Sequence, residues 1–188
     1  MKKKGLRLQY NSPVVLSFAL LSLGVLLLNT LTGGKSNHLL FSVYHSPLGD
    51  LLTWPRFFLH VLGHANLTHY ISNMMLILVV GPPLEEKYGG RSLLWAIAVT
   101  ALVSGLVHWL FFPGTALLGA SGIVFMIIVM SSLAGMKDGA VPVTLILVLL
   151  LYLGGEVVKG VTLSDNVSQL THVIGGLCGA FLGILLRK

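Results

Sequence analysis

Ser121 stands in the run Gly119-Ala120-Ser121-Gly122, with one glycine two positions before it and another directly after. Missing side chains at these points let a second backbone approach the hydroxyl closely. The serine also lies near the start of an apolar run. There, unpaired helical N–H groups and the helix dipole favour a developing anion. These are the needs of an acyl-transfer nucleophile. His172 begins a second pattern, in which Gly175, Gly176, Gly179 and Gly183 follow on the same helical face. A face so stripped presses against a neighbouring helix. If that neighbour carries Ser121, the imidazole reaches the hydroxyl at roughly 3 Å as its base. Small-residue stripes also serve plain helix packing, and a histidine at a span entrance can be an interfacial anchor. Here the histidine lies on the stripe itself, which plain packing does not require.

The segment His60–Asn73, HVLGHANLTHYISN, supplies the remaining polar groups. His69 and Asn73 are four apart, so they share a helical face and both can donate hydrogen bonds. Aimed at one point with the Ser121 backbone N–H, they would form an oxyanion hole. His60 and His64 have the same spacing and are expected on one face, where His69 could join them around a metal. No carboxylate or cysteine accompanies the three histidines, so the expectation is no metal and no cofactor.

Such residues need elements to position them, and the composition says what kind. Of 188 residues, 55% are hydrophobic and 10% charged, and mean hydropathy is +0.89. Soluble domains carry about 25% charged residues, so there is too little polar surface to coat a soluble globule. Six apolar runs of spanning length are expected, at about 14–31, 69–84, 92–112, 116–136, 141–158 and 168–186. Strand alternation is absent, which points away from a transmembrane barrel. The backbone must then satisfy itself within helices, giving an all-α, polytopic bundle of six spans over a single domain, 1–188. The first run follows the basic Lys2–Lys4. It is long, and the "NTLTGG" after it poorly matches a small-x-small cleavage site, so it is read as a retained span. The long connection from Thr32 to His60 carries Trp54, Pro55, Phe57 and Phe58, and is expected to pack at the interface.

Basic residues give the orientation. With the N-terminus inside, the inner face holds Lys2, Lys3, Lys4, Arg7, Lys87, Arg91, Lys137, Arg187 and Lys188, against Lys35, Arg56 and Lys159 outside. That asymmetry is the positive-inside signature. Both termini are expected in the cytoplasm. The net charge of +6 reflects this topology and not nucleic-acid binding, because no aromatic-basic interleaving accompanies it. The even-numbered spans then all run inward, which brings His69, Asn73, Ser121 and His172 to a similar outer depth. All six acids fall near span ends or in loops. The lack of a mid-span carboxylate disfavours a proton-coupled transporter and an intramembrane aspartyl protease. The absence of H-E-x-x-H disfavours a membrane zinc protease. The lone Cys178 can form no internal disulfide and is expected as a small core residue.

Three motifs in this order, H-x-x-x-H-x-x-x-x-H-x-x-x-N at His60–Asn73, G-A-S-G at Gly119–Gly122 and H-x-x-G-x-x-x-G at His172–Gly179, resemble the rhomboid intramembrane serine proteases. The match covers about 18–186 and resembles the compact bacterial six-span form. The resemblance implies Ser121 as nucleophile, His172 as general base in a dyad without an acid, and His69 and Asn73 lining the oxyanion hole. It implies structural roles for His60 and His64. Arg56 resembles the arginine of the family's Trp-Arg loop motif, although Pro55 here separates it from Trp54. Glu85 resembles the acid closing the second span. Phe125 occupies a position where many members have tyrosine, and its ring could stack on His172. The implied activity is endopeptidase cleavage of other membrane proteins within the bilayer, near the outer face of a bacterial inner membrane. Two other readings are an inactive rhomboid-like protein that binds membrane clients, and a small transporter. The latter is disfavoured by the absence of an internal repeat.

Overall fold

A computed structural model of the chain describes residues 10–135, 140, 143–148, 150–151 and 166–186. Its elements are helices: α1 (Pro13–Leu31), α2 (Lys35–Leu39), α3 (Thr53–Leu59), α4 (Leu67–Tyr88), α5 (Gly90–Phe111), α6 (Ser121–Ala134), α7 (Val143–Val148) and α8 (Asn166–Leu185). No strand occurs among the described residues; one isolated antiparallel bridge pairs Val43 with Leu117. Among the described residues, three helices, α1, α4 and α5, are long and apolar enough to cross a membrane, and two shorter apolar helices, 121–134 and 169–185, accompany them. Leu31, Val79, Leu94 and Trp95 lie exposed on the bundle's outside. That is the surface a lipid-embedded bundle presents. The protein is an all-α, multi-pass membrane bundle.

Each long helix starts and stops for a local reason. The Pro13 ring sits in the first turn of α1, where its missing N–H costs nothing. No side chain of α1 caps that end. Glu85 of α4 does so instead, its two carboxylate oxygens accepting from Val14 N and Val15 N at 3.0 Å each. Asn66 caps α4, its Oδ1 accepting from His69 N at 2.9 Å. Gly89, at φ +84°, lets the chain reverse from α4 into α5 with no side-chain penalty.

The helix directions follow from contacts. The start of α1 meets the end of α4, since Val15 packs within 2.8 Å of where a Gly81 side chain would begin. Lys87, near the end of α4, donates from Nζ to the carbonyl of Ala134 at the end of α6. The starts of these two helices also meet, at His69 and Gly119. Gly175, Gly179 and Gly183 of α8 oppose Gly122, Met126 and Met130 of α6 in step, so α6 and α8 run parallel. Thus α4, α6 and α8 start at the same end of the bundle. The core centres on α6, where Ile123, Met126 and Met130 are fully buried.

Two sequence expectations are corrected here. The apolar run from Ala116 is not helical until Ser121. Leu117 exchanges both backbone hydrogen bonds with Val43, at 2.8 Å each, and Gly119 takes φ +122°, which no helix allows. His60 and His64 do not share a helical face. A short 3-10 turn, His60–Leu62, ends at Gly63, which is extended at φ −69°, ψ 140°. Gly63 packs so tightly on the Phe41 carbonyl that a side chain has no room. The expected span at 141–158 lies mostly outside the described residues, as do Lys2, Lys3, Lys4, Arg7, Lys137, Lys159, Arg187 and Lys188 of the charge argument.

Candidate active site

Ser121 is the first residue of α6, preceded by the Ala120 cap position, and is partly exposed. The extended stretch before it is held from three sides. Leu117 pairs with Val43, Gly119 N donates to His60 O at 2.9 Å, and the Thr115 carbonyl accepts from His108 Nε2 at 3.1 Å. A serine at the first helical position keeps its own N–H outside the helical ladder.

The α6–α8 contact brings His172 to this end. A side chain on Gly175 would collide with the Gly122 carbonyl, and one on Gly179 would begin 2.5 Å from the Met126 carbonyl. The helices touch through backbone, which only glycine permits. Gly122 faces Thr171, whose methyl lies 3.2 Å from where a Cβ would stand. The His172 ring stacks flat on Phe125, centroids 4.3 Å apart and planes 8° apart. Phe125 is one helical turn after Ser121. The stack therefore fixes the imidazole plane beside the start of α6.

His69 approaches from the other side. Its Cε1 and Nε2 atoms lie 2.7 Å from where a Gly119 side chain would begin, so the ring rests on the bare backbone two residues before Ser121. Asn73 is buried one turn further along α4 and donates from Nδ2 to the His69 carbonyl at 3.0 Å. That bond uses one of its two amide protons.

Of the remaining sequence candidates, His60 and His64 border this cluster, and Arg56 and Glu85 stand apart from it. His60 is buried and donates from Nε2 to the Ala101 carbonyl on α5 at 3.0 Å. His64 is fully buried and donates from Nδ1 to Leu62 O at 3.0 Å. Both donations fix the neutral tautomer. Burial pushes both imidazoles down to about 4. The two rings bond different carbonyls, of Ala101 and of Leu62, and among the described residues no three His, Cys, Asp or Glu side chains cluster as a metal site. Arg56 is buried under the Tyr44 ring, its guanidinium 4.6 Å from the centroid. It donates to Leu39 O at 2.9 Å and pairs with Asp50 at 3.0 Å. The Leu52 N–H, then Arg56, hold the Asp50 carboxyl below its usual range. Glu85 lies at the opposite end of α4, on the start of α1.

Sequence reasoning missed several residues. Asn66 as the α4 cap was signalled by its position just before an apolar run. His108, which holds Thr115, gave no signal, because its partner lies in a loop.

Residues 52–188 match the family model of the rhomboid domain, well over half of the chain. The chain belongs to the rhomboid family. Rhomboid protease GlpG of Pectobacterium atrosepticum is 31% identical over 180 residues, which is 92% of this chain and 63% of that protein. Rhomboid-like protein 11, chloroplastic, of Arabidopsis thaliana is 29% identical over 150 residues, 72% of this chain and 53% of that protein. Rhomboid protease GlpG of Klebsiella pneumoniae is 27% identical over 132 residues, 70% of this chain and 47% of that protein. The chain spans about half to two thirds of the length of these rhomboid relatives.

Proposed function

We propose that this rhomboid chain is a serine endopeptidase that cuts transmembrane segments of other membrane proteins near the outer face of the membrane. The reading rests on one observation above the rest: α6 and α8 touch through bare backbone at Gly122 and Gly175, with the His172 ring stacked on Phe125 one turn from Ser121.

In this reading His172 takes the Ser121 hydroxyl proton as the oxygen attacks a peptide carbonyl. The carbonyl oxygen becomes an anion, held by the Ser121 N–H, the His69 ring and the second Asn73 amide proton. His172 then protonates the leaving amine. Water, deprotonated by the same imidazole, hydrolyses the acyl-enzyme and restores the serine. No step needs a metal ion. His64 supports the His69 ring directly, and His60, Arg56 and Glu85 act through the framework.

Helix length and the distribution of basic residues support the outer-face position. The 14 residues of α6 cover about 21 Å, against a hydrocarbon core of about 30 Å. Its far end is tied to Lys87, close to Glu85, Glu86 and Arg91, so the shortfall lies at the Ser121 end. A substrate helix must unwind to offer a carbonyl there, which favours small or helix-breaking residues in its sequence. The basic residues orient that end outward, with both termini in the cytoplasm of a bacterial cell. The domain is read as one unit, 1–188.

An activity probe tests the dyad. A fluorophosphonate should label Ser121 and no other serine in folded, detergent-solubilised protein, and labelling should collapse in His172→Ala. Labelling of His172→Ala as fast as wild type would remove His172 as the base.

A further inference from the structure

We propose that Asn37 is a positioning residue for the oxyanion donor His69, acting through the backbone of His64. This rests on the function proposed above and extends it to a residue 32 positions before His69 in the sequence.

Asn37 is buried in the short helix α2 and joins three parts of the chain. Its N–H donates to Asn29 Oδ1 at the end of α1, at 3.1 Å. Its carbonyl accepts from Ser42 Oγ at 2.8 Å. Its side chain reaches across to donate from Nδ2 to the His64 carbonyl at 3.0 Å. Among the described residues Oδ1 has no partner, so the His64 carbonyl alone orients the amide. A flipped amide would set oxygen against oxygen.

The held carbonyl belongs to a stretch with little freedom. Gly63 is pinned on the Phe41 backbone, and Asn66 caps α4 through His69 N. Between them the His64 ring stands edge-on to His69, centroids 5.1 Å apart at 68°, and edge-on to Tyr70, at 5.6 Å. His69 is therefore enclosed by the His64 ring and the Gly119 backbone. Its own side chain has no hydrogen bond holding it among the described residues, so packing must aim it. Releasing the His64 carbonyl loosens one wall of that enclosure. A donor that misses the oxyanion by about 1 Å costs on the order of 100-fold in rate.

Asn37→Leu is nearly isosteric and removes the donor while keeping both backbone bonds. In the folded variant, kcat should fall about 10-fold to 100-fold with KM little changed, because the oxyanion exists only in the transition state. In a His69→Ala background the same change should cost nothing further. A full additional loss there would overturn the proposal, since Asn37 would then act elsewhere. A second measurement needs no turnover. Nitrogen-15 labelling of the seven histidines should show the His64 and His69 ring signals moving in Asn37→Leu, with His45 unmoved. An unmoved His69 signal would overturn the proposal even in an active enzyme. A moved signal in a protein whose wild type never cleaves or labels would sink the protease reading and leave the Asn37 link standing. If Asn37→Leu does not fold, Asn29→Ala removes the acceptor shared by Asn37 N and Ser36 Oγ while leaving the Asn37 side chain in place, and a smaller shift at His69 is expected.

Discussion

At the scale of single residues, the site depends on absent atoms as much as on present ones. Gly119 combines φ +122° with an imidazole where its side chain would be. Gly119→Ala therefore adds backbone strain of about 1–3 kcal/mol and displaces His69. We expect its kcat to fall at least as far as in Asn73→Ala, which should lose ~10²–10³ as one donor of several. Steady-state kinetics on both variants decides this, and an unaffected Gly119→Ala would show that His69 needs no bare backbone beneath it. Ser121→Ala and His172→Ala should abolish cleavage. These residues were legible in the sequence because glycines flank the serine and follow the histidine at helical spacing. Asn37 and His108 were not, because a buried polar residue announces its partner only when the fold supplies one.

At the scale of elements, the parallel α6–α8 pair is the framework of the candidate site. Gly179→Leu would force the helices apart, since a Cβ there would stand only 2.5 Å from the Met126 carbonyl. Fluorophosphonate labelling should fall about 100-fold while circular dichroism keeps its helical signal. Labelling at the wild-type rate would mean that the contact does not hold His172. The connection between α1 and α4 carries a pH signature. His60 and His64 hold values near 4 in the fold, against about 6.5 in the unfolded chain. Between those values the unfolded chain binds protons that the fold does not. Stability is therefore full above pH 6.5 and falls as pH drops towards 4, by about 1.4 kcal/mol per pH unit for each imidazole. Thermal unfolding across this window should show the fall, and His60→Gln should flatten it. An unchanged slope in that variant would exclude His60 as a source. Spans one, two and three were readable from hydropathy to within a few residues. The start of α6 was not, because an apolar loop and an apolar helix have the same composition over five residues.

At the scale of the whole molecule, the three helices α4, α6 and α8 start at one end and bring the polar residues of three distant segments together there. Hydropathy and charge placed those segments at one depth. They could not show the loop before α3 reaching over to hold the stretch ahead of Ser121, since bonds such as Val43 to Leu117 join residues far apart in sequence. The end opposite the site is closed by Glu85 and Lys87. Glu85→Ala would strand the Val14 and Val15 N–H groups and should cost about 2–4 kcal/mol in unfolding, with activity per folded molecule retained. Loss of activity without loss of stability would instead place Glu85 in the chemistry. The central claim is hydrolysis inside the membrane at Ser121. Its most direct test is the purified protein reconstituted in liposomes with a labelled single-span substrate, the cut mapped by mass spectrometry. The account predicts one cut in the outer third of the substrate's span, insensitive to chelators and absent in Ser121→Ala. Cleavage that persists in Ser121→Ala, or that chelation removes and zinc restores, would contradict it.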